Sequence, residues 1–289
     1  MSLSAADLNE ERAVGCYFCG KPDVSDEHVP PQCFFPDDRR DGLITVRSCD
    51  EHNSKKSKDD EYFRGVFLSS ILVDGNPDIM SQRQAHQRAL VRAIERAANQ
   101  IHDEDDRIAI RDIYEQFQTD PLGAGKVIQA LEKKKLLRTG LAGLMNMDLR
   151  EEQLPAEAGG HPLTTSFAFD LDRLRKFMNS IARALLFHET GYVWKGRVIH
   201  FPHSFLACDA TEIEKQDRER YATALIREDA KGPHKTIFYY DIFNYADEVN
   251  RHASGYAIGF CLFDSFHFTT LFIDDENSRP DAQNPGAAA

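Results

Sequence analysis

Two short ligand pairs, Cys16-x2-Cys19 and Cys49-x2-His52, have 29 residues between them and bracket a Glu27-His28 pair that runs straight into Pro30 and Pro31. Sulfur and imidazole donors in two short-spaced pairs suit tetrahedral zinc, because each short loop grips one edge of the tetrahedron. With four protein ligands such an ion is closed to water, so it folds a segment and catalyses nothing. Cys33 is an alternative fourth ligand if His52 serves elsewhere. The Glu27-His28 pair falls inside the segment so pinned. A histidine titrating near neutrality can take a proton from water, and an adjacent carboxylate can hold a divalent ion that stabilises a departing phosphate oxygen. Asn53, directly after the second pair, delivers an oxygen donor at a helix start. Taken singly, each has a plainer reading: His28 as a turn-stabilising ring, Glu27 as a solvated charge. Their concentration between two ligand pairs is what argues for chemistry.

The order C-x2-C, then Glu27-His28-Val29-x-Pro31, then Cys49-x2-His52 followed by Asn53-x2-Lys56, resembles the HNH endonucleases with the ββα-metal fold, over Val14 to Phe67. The resemblance implies that His28 is the general base that activates water. It also implies that Glu27 and Asn53 hold a catalytic Mg²⁺ or Mn²⁺, and that Cys16, Cys19, Cys49 and His52 hold structural zinc. The family's middle Asn has no counterpart, since the segment ahead of the second strand reads RRDGLITV. That gap favours the rival expectation of a catalytically inactive, HNH-derived zinc module that binds nucleic acid or a protein partner. DNA is the substrate the resemblance implies.

Charge bears on how DNA would be met. The formal net charge is -12, and the first 75 residues hold 15 Asp/Glu against nine Lys/Arg, so the chain repels a polyanion at long range. Contacts would have to come from local groups, with Lys55, Lys56, Arg39 and Arg40 the candidates; their plainer role is that of solvated surface charge. A second copy, or a protein partner docking through the C-terminal region, would raise local concentration. The aromatic strands TIFYYDIF and YAIGFCLFDSFHF are a candidate interface, with core packing the simpler role for most of those rings.

The elements that must position these groups read as α+β: an N-terminal zinc-stapled ββα module, a helical middle and a strand-rich C-terminal region. We expect a module over 1–75, a helical region over 76–160, an α+β region of unassigned role over 161–275 and a disordered tail over 276–289. AVGCYFCGKPD has the form of a knuckle, GLITVRSC alternates as a strand, and SKDDEYFRGVFLSSIL opens with the Ser-x-x-Asp pattern of a capping box. Helical periodicity runs from about Met80 to Leu144, broken at DPLGAG, and LPAEAGGHP reads as a loop. TTSFAFD reads as a strand and DLDRLRKFMNSIARALLFHET as an amphipathic helix. Hydrophobic residues make up 42% and charged residues 28%, ordinary for a globular chain with a real core. There is no run of eighteen apolar residues, and the start lacks a signal peptide's basic flank and apolar stretch. No membrane association and a cytoplasmic setting are therefore expected. Four of six cysteines lie before residue 50; Cys208 and Cys261 read as buried hydrophobes, and His188, His200, His203 and His267 show no ligand spacing.

Overall fold

The computed structural model describes residues 15–73, 75–98, 148–152, 164–168, 170–205, 211–246 and 254–273. It is an α+β fold of helices and antiparallel sheets. Strands β1 (Ser25–Val29) and β2 (Ile44–Ser48) form a two-stranded sheet in the register Glu27 to Val46 and His28 to Thr45. Helix α1 (Ser57–Ser69) follows, then α2 (Met80–Ala98). A second pair, β3 (Asp148–Glu152) and β4 (Thr164–Ala168), precedes α3 (Leu171–Thr190). The largest sheet has the order β5-β9-β8-β7-β6, built from β5 (Arg197–Pro202), β6 (Lys231–His234), β7 (Phe238–Ala246), β8 (Ser254–Leu262) and β9 (Phe266–Ile273). Helix α4 (Glu212–Ala224) lies between β5 and β6 in the chain.

Helix α3 joins the two ends of the chain. Its start is capped by Asp170, whose carboxylate accepts from the Arg173 N–H at 3.0 Å, and Gly191 ends it at φ 73°, where a side chain would be strained. Between these stops Leu174, Phe177, Met178, Ile181, Ala182, Leu185 and Leu186 recur at helical spacing and are buried. The helix packs on β1, β2 and α1 as well as on β5 and β9.

One buried cluster therefore holds residues from both ends of the chain. Phe34 stacks on Phe177 at 5.7 Å and on Phe263 at 5.8 Å, Phe63 meets Phe177 at 4.8 Å, and Phe67 meets Phe266 at 4.6 Å. Fully burying each such ring contributes about 1.5–3 kcal/mol. The aromatic run of the last two strands folds back as a hairpin, with both Phe263 and Asp264 at positive φ, as mirror-image turns require. The rings of Phe238, Tyr240, Phe260, Phe266 and Phe268 lie in the protein's own core, so those five are not available to a docking partner. Cys261 is buried as well.

The expected capping box on α1 does not form. A 3₁₀ turn, Ser54–Lys56, leads into the helix, Ser57 is its first residue and donates back to the Ser54 carbonyl at 2.9 Å, and Asp60 turns to Lys56 instead. The competing partner is a buried ammonium, which outweighs a neutral cap. The lead-in at 1–13, the helical expectation beyond Ala98, the loop LPAEAGGHP, Cys208 and the tail at 276–289 lie outside the described residues. Among the described residues no helix is long and apolar enough to cross a membrane.

Candidate functional site

The Cys/His cluster is assembled by backbone before side chains matter. Gly15 at φ 139° and Gly20 at φ 74° let the knuckle close, with Gly20 N–H donating to the Cys16 carbonyl and Cys16 N–H to the Lys21 carbonyl, both at 2.8 Å. Tyr17 N–H reaches the Arg47 carbonyl at 2.9 Å, which fixes the knuckle to β2 just before Cys49. The turn after Cys49 is closed by His52 and Asn53 N–H groups donating to the Cys49 carbonyl. As a result the ligand atoms of Cys16, Cys19, Cys49 and His52 all lie within 4.8 Å of one another. The Cys19–Cys49 sulfurs are 3.8 Å apart, and His52 Nδ1 is 3.2 Å from Cys49 Sγ and 3.6 Å from Cys16 Sγ. A tetrahedron of Zn–S bonds near 2.3 Å has edges of about 3.8 Å, so the donor set fits zinc in size and in chemistry. The choice of fourth ligand falls on His52: Cys33 is outside the cluster, and burial pushes its thiol up to about 12.

Residues far along the chain clamp this centre. Phe18 stacks on the His52 ring at 4.2 Å, and the Arg183 guanidinium lies 5.0 Å over Phe18. Tyr17 and Ser180 hydroxyls are 2.8 Å apart, and Lys195 donates to the Cys19 carbonyl at 3.2 Å. Three of these partners come from α3 and the turn after it, a relation that local spacing cannot reveal.

Beside the cluster a cleft of about 410 Å³ opens between β1 and α1, and Glu27, His28 and Asn53 all line it. Glu27 faces the helix and is only 5% exposed; His28, its neighbour on the strand, is half-buried. The Glu27 carboxylate is in an ion pair with Lys56, whose ammonium also meets Asp60 at 2.9 Å. Burial raises Glu27 to about 7, because the Lys56 charge offsets the lost hydration only in part and Asp60 adds repulsion. Burial pulls the Lys56 ammonium down, but Asp60 and Glu27 more than restore it, leaving it above its ordinary value. The Asn53 carboxamide N–H donates to Ser25 Oγ at 2.8 Å and to the Asp26 carbonyl at 3.1 Å. That ties the helix start to β1 through the carboxamide nitrogen. Glu27, Asp60 and Asn53 together offer the all-oxygen donors that a hard divalent cation prefers.

The candidate phosphate contacts are differently placed. Lys55 is exposed, Lys56 is inside the carboxylate pair, Arg39 pairs with Asp78 at 2.8 Å, and Arg40 pairs with Asp37 at 2.7 Å. Reading the sequence alone missed Arg64, which lines the cleft one helical face on from Ser57, Asp60 and Glu61. The three- and four-residue spacing of those positions was the available signal. Arg64 Nε and Gln82 Oε1 are buried without a hydrogen-bond partner, a loss of about 1–3 kcal/mol for each such atom. No protein-family model, curated protein or solved structure matches this chain.

Proposed function

We propose that the chain is a divalent-metal-dependent endonuclease that hydrolyses DNA phosphodiester bonds, with zinc in the Cys/His cluster as a purely structural ion. The observation that supports this reading is that Glu27, His28 and Asn53 line a single cleft directly beside a four-ligand cluster that can hold zinc. His28 accepts the proton of a water that attacks phosphorus, and the leaving group is the 3′ oxygen. Glu27 and the carboxamide oxygen of Asn53 would hold the divalent ion. Such an ion, when bound, supplies charge stabilisation to the pentacovalent phosphate and the departing oxygen. In the metal-free protein Lys56 acts as the counter-ion of Glu27 and Asp60.

The loop that follows His28 lacks the family's middle Asn, yet it is held from outside. Phe34 and Phe35 are fully buried, Gln82 donates to the Cys33 carbonyl at 3.3 Å, and the Arg39–Asp78 pair is itself anchored by the Thr236 hydroxyl donating to Asp78 at 2.5 Å. These contacts give the loop a support that an Asn side chain would otherwise supply.

A second reading, an inactive zinc module that binds nucleic acid or a protein, is favoured by one observation: Lys56 already neutralises Glu27. Purified, zinc-loaded chain incubated with supercoiled plasmid and Mg²⁺ or Mn²⁺ separates the two. Nicked or linear product that chelator prevents supports the nuclease; intact plasmid under every divalent ion, with zinc present and the protein folded, supports the inactive module.

A further inference from the structure

We propose that Arg64 is the phosphate-binding residue of the cleft, taking a non-bridging oxygen of the nucleic-acid backbone next to His28. This deepens the endonuclease reading and rests on it. Among the described residues Arg64 pairs with no carboxylate and makes no hydrogen bond, although it lines the same cleft as Asp60 and Glu61 from one helical turn away, and its Nε is buried without an acceptor. A guanidinium held in a half-buried position with its donors unspent is suited to the paired oxygens of a phosphate. Of the other candidate cations three are engaged, Lys56 by Glu27 and Asp60, Arg39 by Asp78 and Arg40 by Asp37, and Lys55 is exposed and does not line the cleft.

Charge balance says when the site works. The carboxylates of Asp26, Glu27, Asp60 and Glu61 line the cleft with Arg64; the Lys56 ammonium sits between Glu27 and Asp60, and Arg47 pairs with Asp26. It is acidic as it stands and would reject a phosphate diester; one divalent ion removes that excess, and Arg64 is then the cation of the lining left to face the substrate. Phosphate binding at Arg64 is thereby coupled to metal binding.

The test uses the full chain carrying His28→Ala, so that nothing is cut, and a short fluorescein-labelled DNA duplex titrated by anisotropy over a salt series, with and without Mg²⁺. Adding Arg64→Gln should weaken binding about tenfold in Mg²⁺ and reduce the salt slope by about one, the mark of one lost phosphate contact. It should change binding less without Mg²⁺. Arg64→Lys should keep the slope and lose only part of the affinity, which damage to the fold would not do; zinc content and circular dichroism check the fold directly. An unchanged affinity and slope in Arg64→Gln, or no duplex binding by the His28→Ala parent even at the lowest salt, overturns the proposal. Cleavage by the unmutated chain is measured separately. A chain that binds through Arg64 but never cuts overturns the endonuclease reading alone, and one that cuts with Arg64→Gln as well as without it overturns only the role of Arg64.

Discussion

The β1-β2-α1 segment and the five-stranded sheet solve the same problem by different means. The sheet is stabilised by rings: β7, β8 and β9 pair along their whole length and bury Phe238, Tyr240, Phe260, Phe266, Phe268 and Phe272. The N-terminal sheet has only two strands of five residues, a size that is marginal in water, and its inner face includes a charge, Glu27. What it lacks in strands it takes from a cross-linking cluster and from the faces of α3 and the β8-β9 hairpin. The difference teaches that a segment bearing ionisable groups in a cleft borrows its rigidity, whereas one made of aromatic residues generates its own.

The strongest way to break the comparison is to remove the cross-link. Cys49→Ser, or zinc chelation, should abolish amide protection through β1, β2 and the start of α1, since structural zinc contributes on the order of 10 kcal/mol in small zinc modules. Strands β7 to β9 should stay protected, with a lowered thermal midpoint because they lose part of their cover. Hydrogen exchange read strand by strand decides it, alongside metal analysis, which should find about one zinc per chain in the parent. Equal protection in β1 before and after metal loss would mean the packing suffices.

Phe34→Ala removes the ring that both regions share and should cost about 3–5 kcal/mol, typical of a buried aromatic truncation. Denaturant melts followed at the two regions separately should lose their coincidence. His28→Ala should leave both regions as stable as before and reduce divalent-dependent cleavage at least ~10²-fold, the usual share of a general base. A mutant that cuts like the parent would make His28 structural.

The finest contrast lies in pH. Glu27, raised from 4.5 to about 7, binds its proton more readily folded than unfolded, so in Mg²⁺-free protein its contribution is full below 4.5 and is lost as pH climbs through 7. Glu27→Gln should therefore be more stable than the parent at pH 8, by on the order of 1–3 kcal/mol, and equal to it near pH 4.5. In the sheet the sign reverses. His200 and His203 are lowered to about 4 by burial, and further by Arg183 and Arg175 around the first and Arg218 and His267 around the second. Each is half-buried and neutral, with a threonine hydroxyl at 2.9 Å. The unfolded chain takes up their protons first, so their contribution holds above pH 6.5 and is lost as pH falls toward 4. Urea melts of parent and Glu27→Gln at both pH values test the first claim, and a His200→Asn melt, flatter on the acid side, tests the second.

Much of this could be read from the chain itself. The ligand pairs converge because their short spacings set local turns, and α3 runs from Asp170 to Gly191 because cap, apolar period and stop all agree. The failures were of another kind. The capping box at Ser57 and Asp60 was a sound local pattern overridden by a buried ammonium, Lys56, whose partner Glu27 lies 29 positions earlier. Arg183, Lys195 and Ser180, which close over the Cys/His knuckle, are ordinary helix and turn residues whose role exists only once the N- and C-terminal elements meet. Arg39 looked like a free cation because Asp78 becomes its partner only through the fold, whereas Asp37, three residues before Arg40, was a local partner that the spacing already offered.

The stack of Phe34 between Phe177 and Phe263 also carries a schedule. Chains are made from the N-terminus at about 5–20 residues per second, so the segment holding His28 leaves the ribosome tens of seconds before Phe263 exists. Until the hairpin tip is synthesised, the loop behind His28 has only part of the apolar seat that holds it, whatever metal is at hand. A nascent chain is thereby born with its cleft unfinished, and the β8-β9 hairpin, made long after it, is what completes that seat.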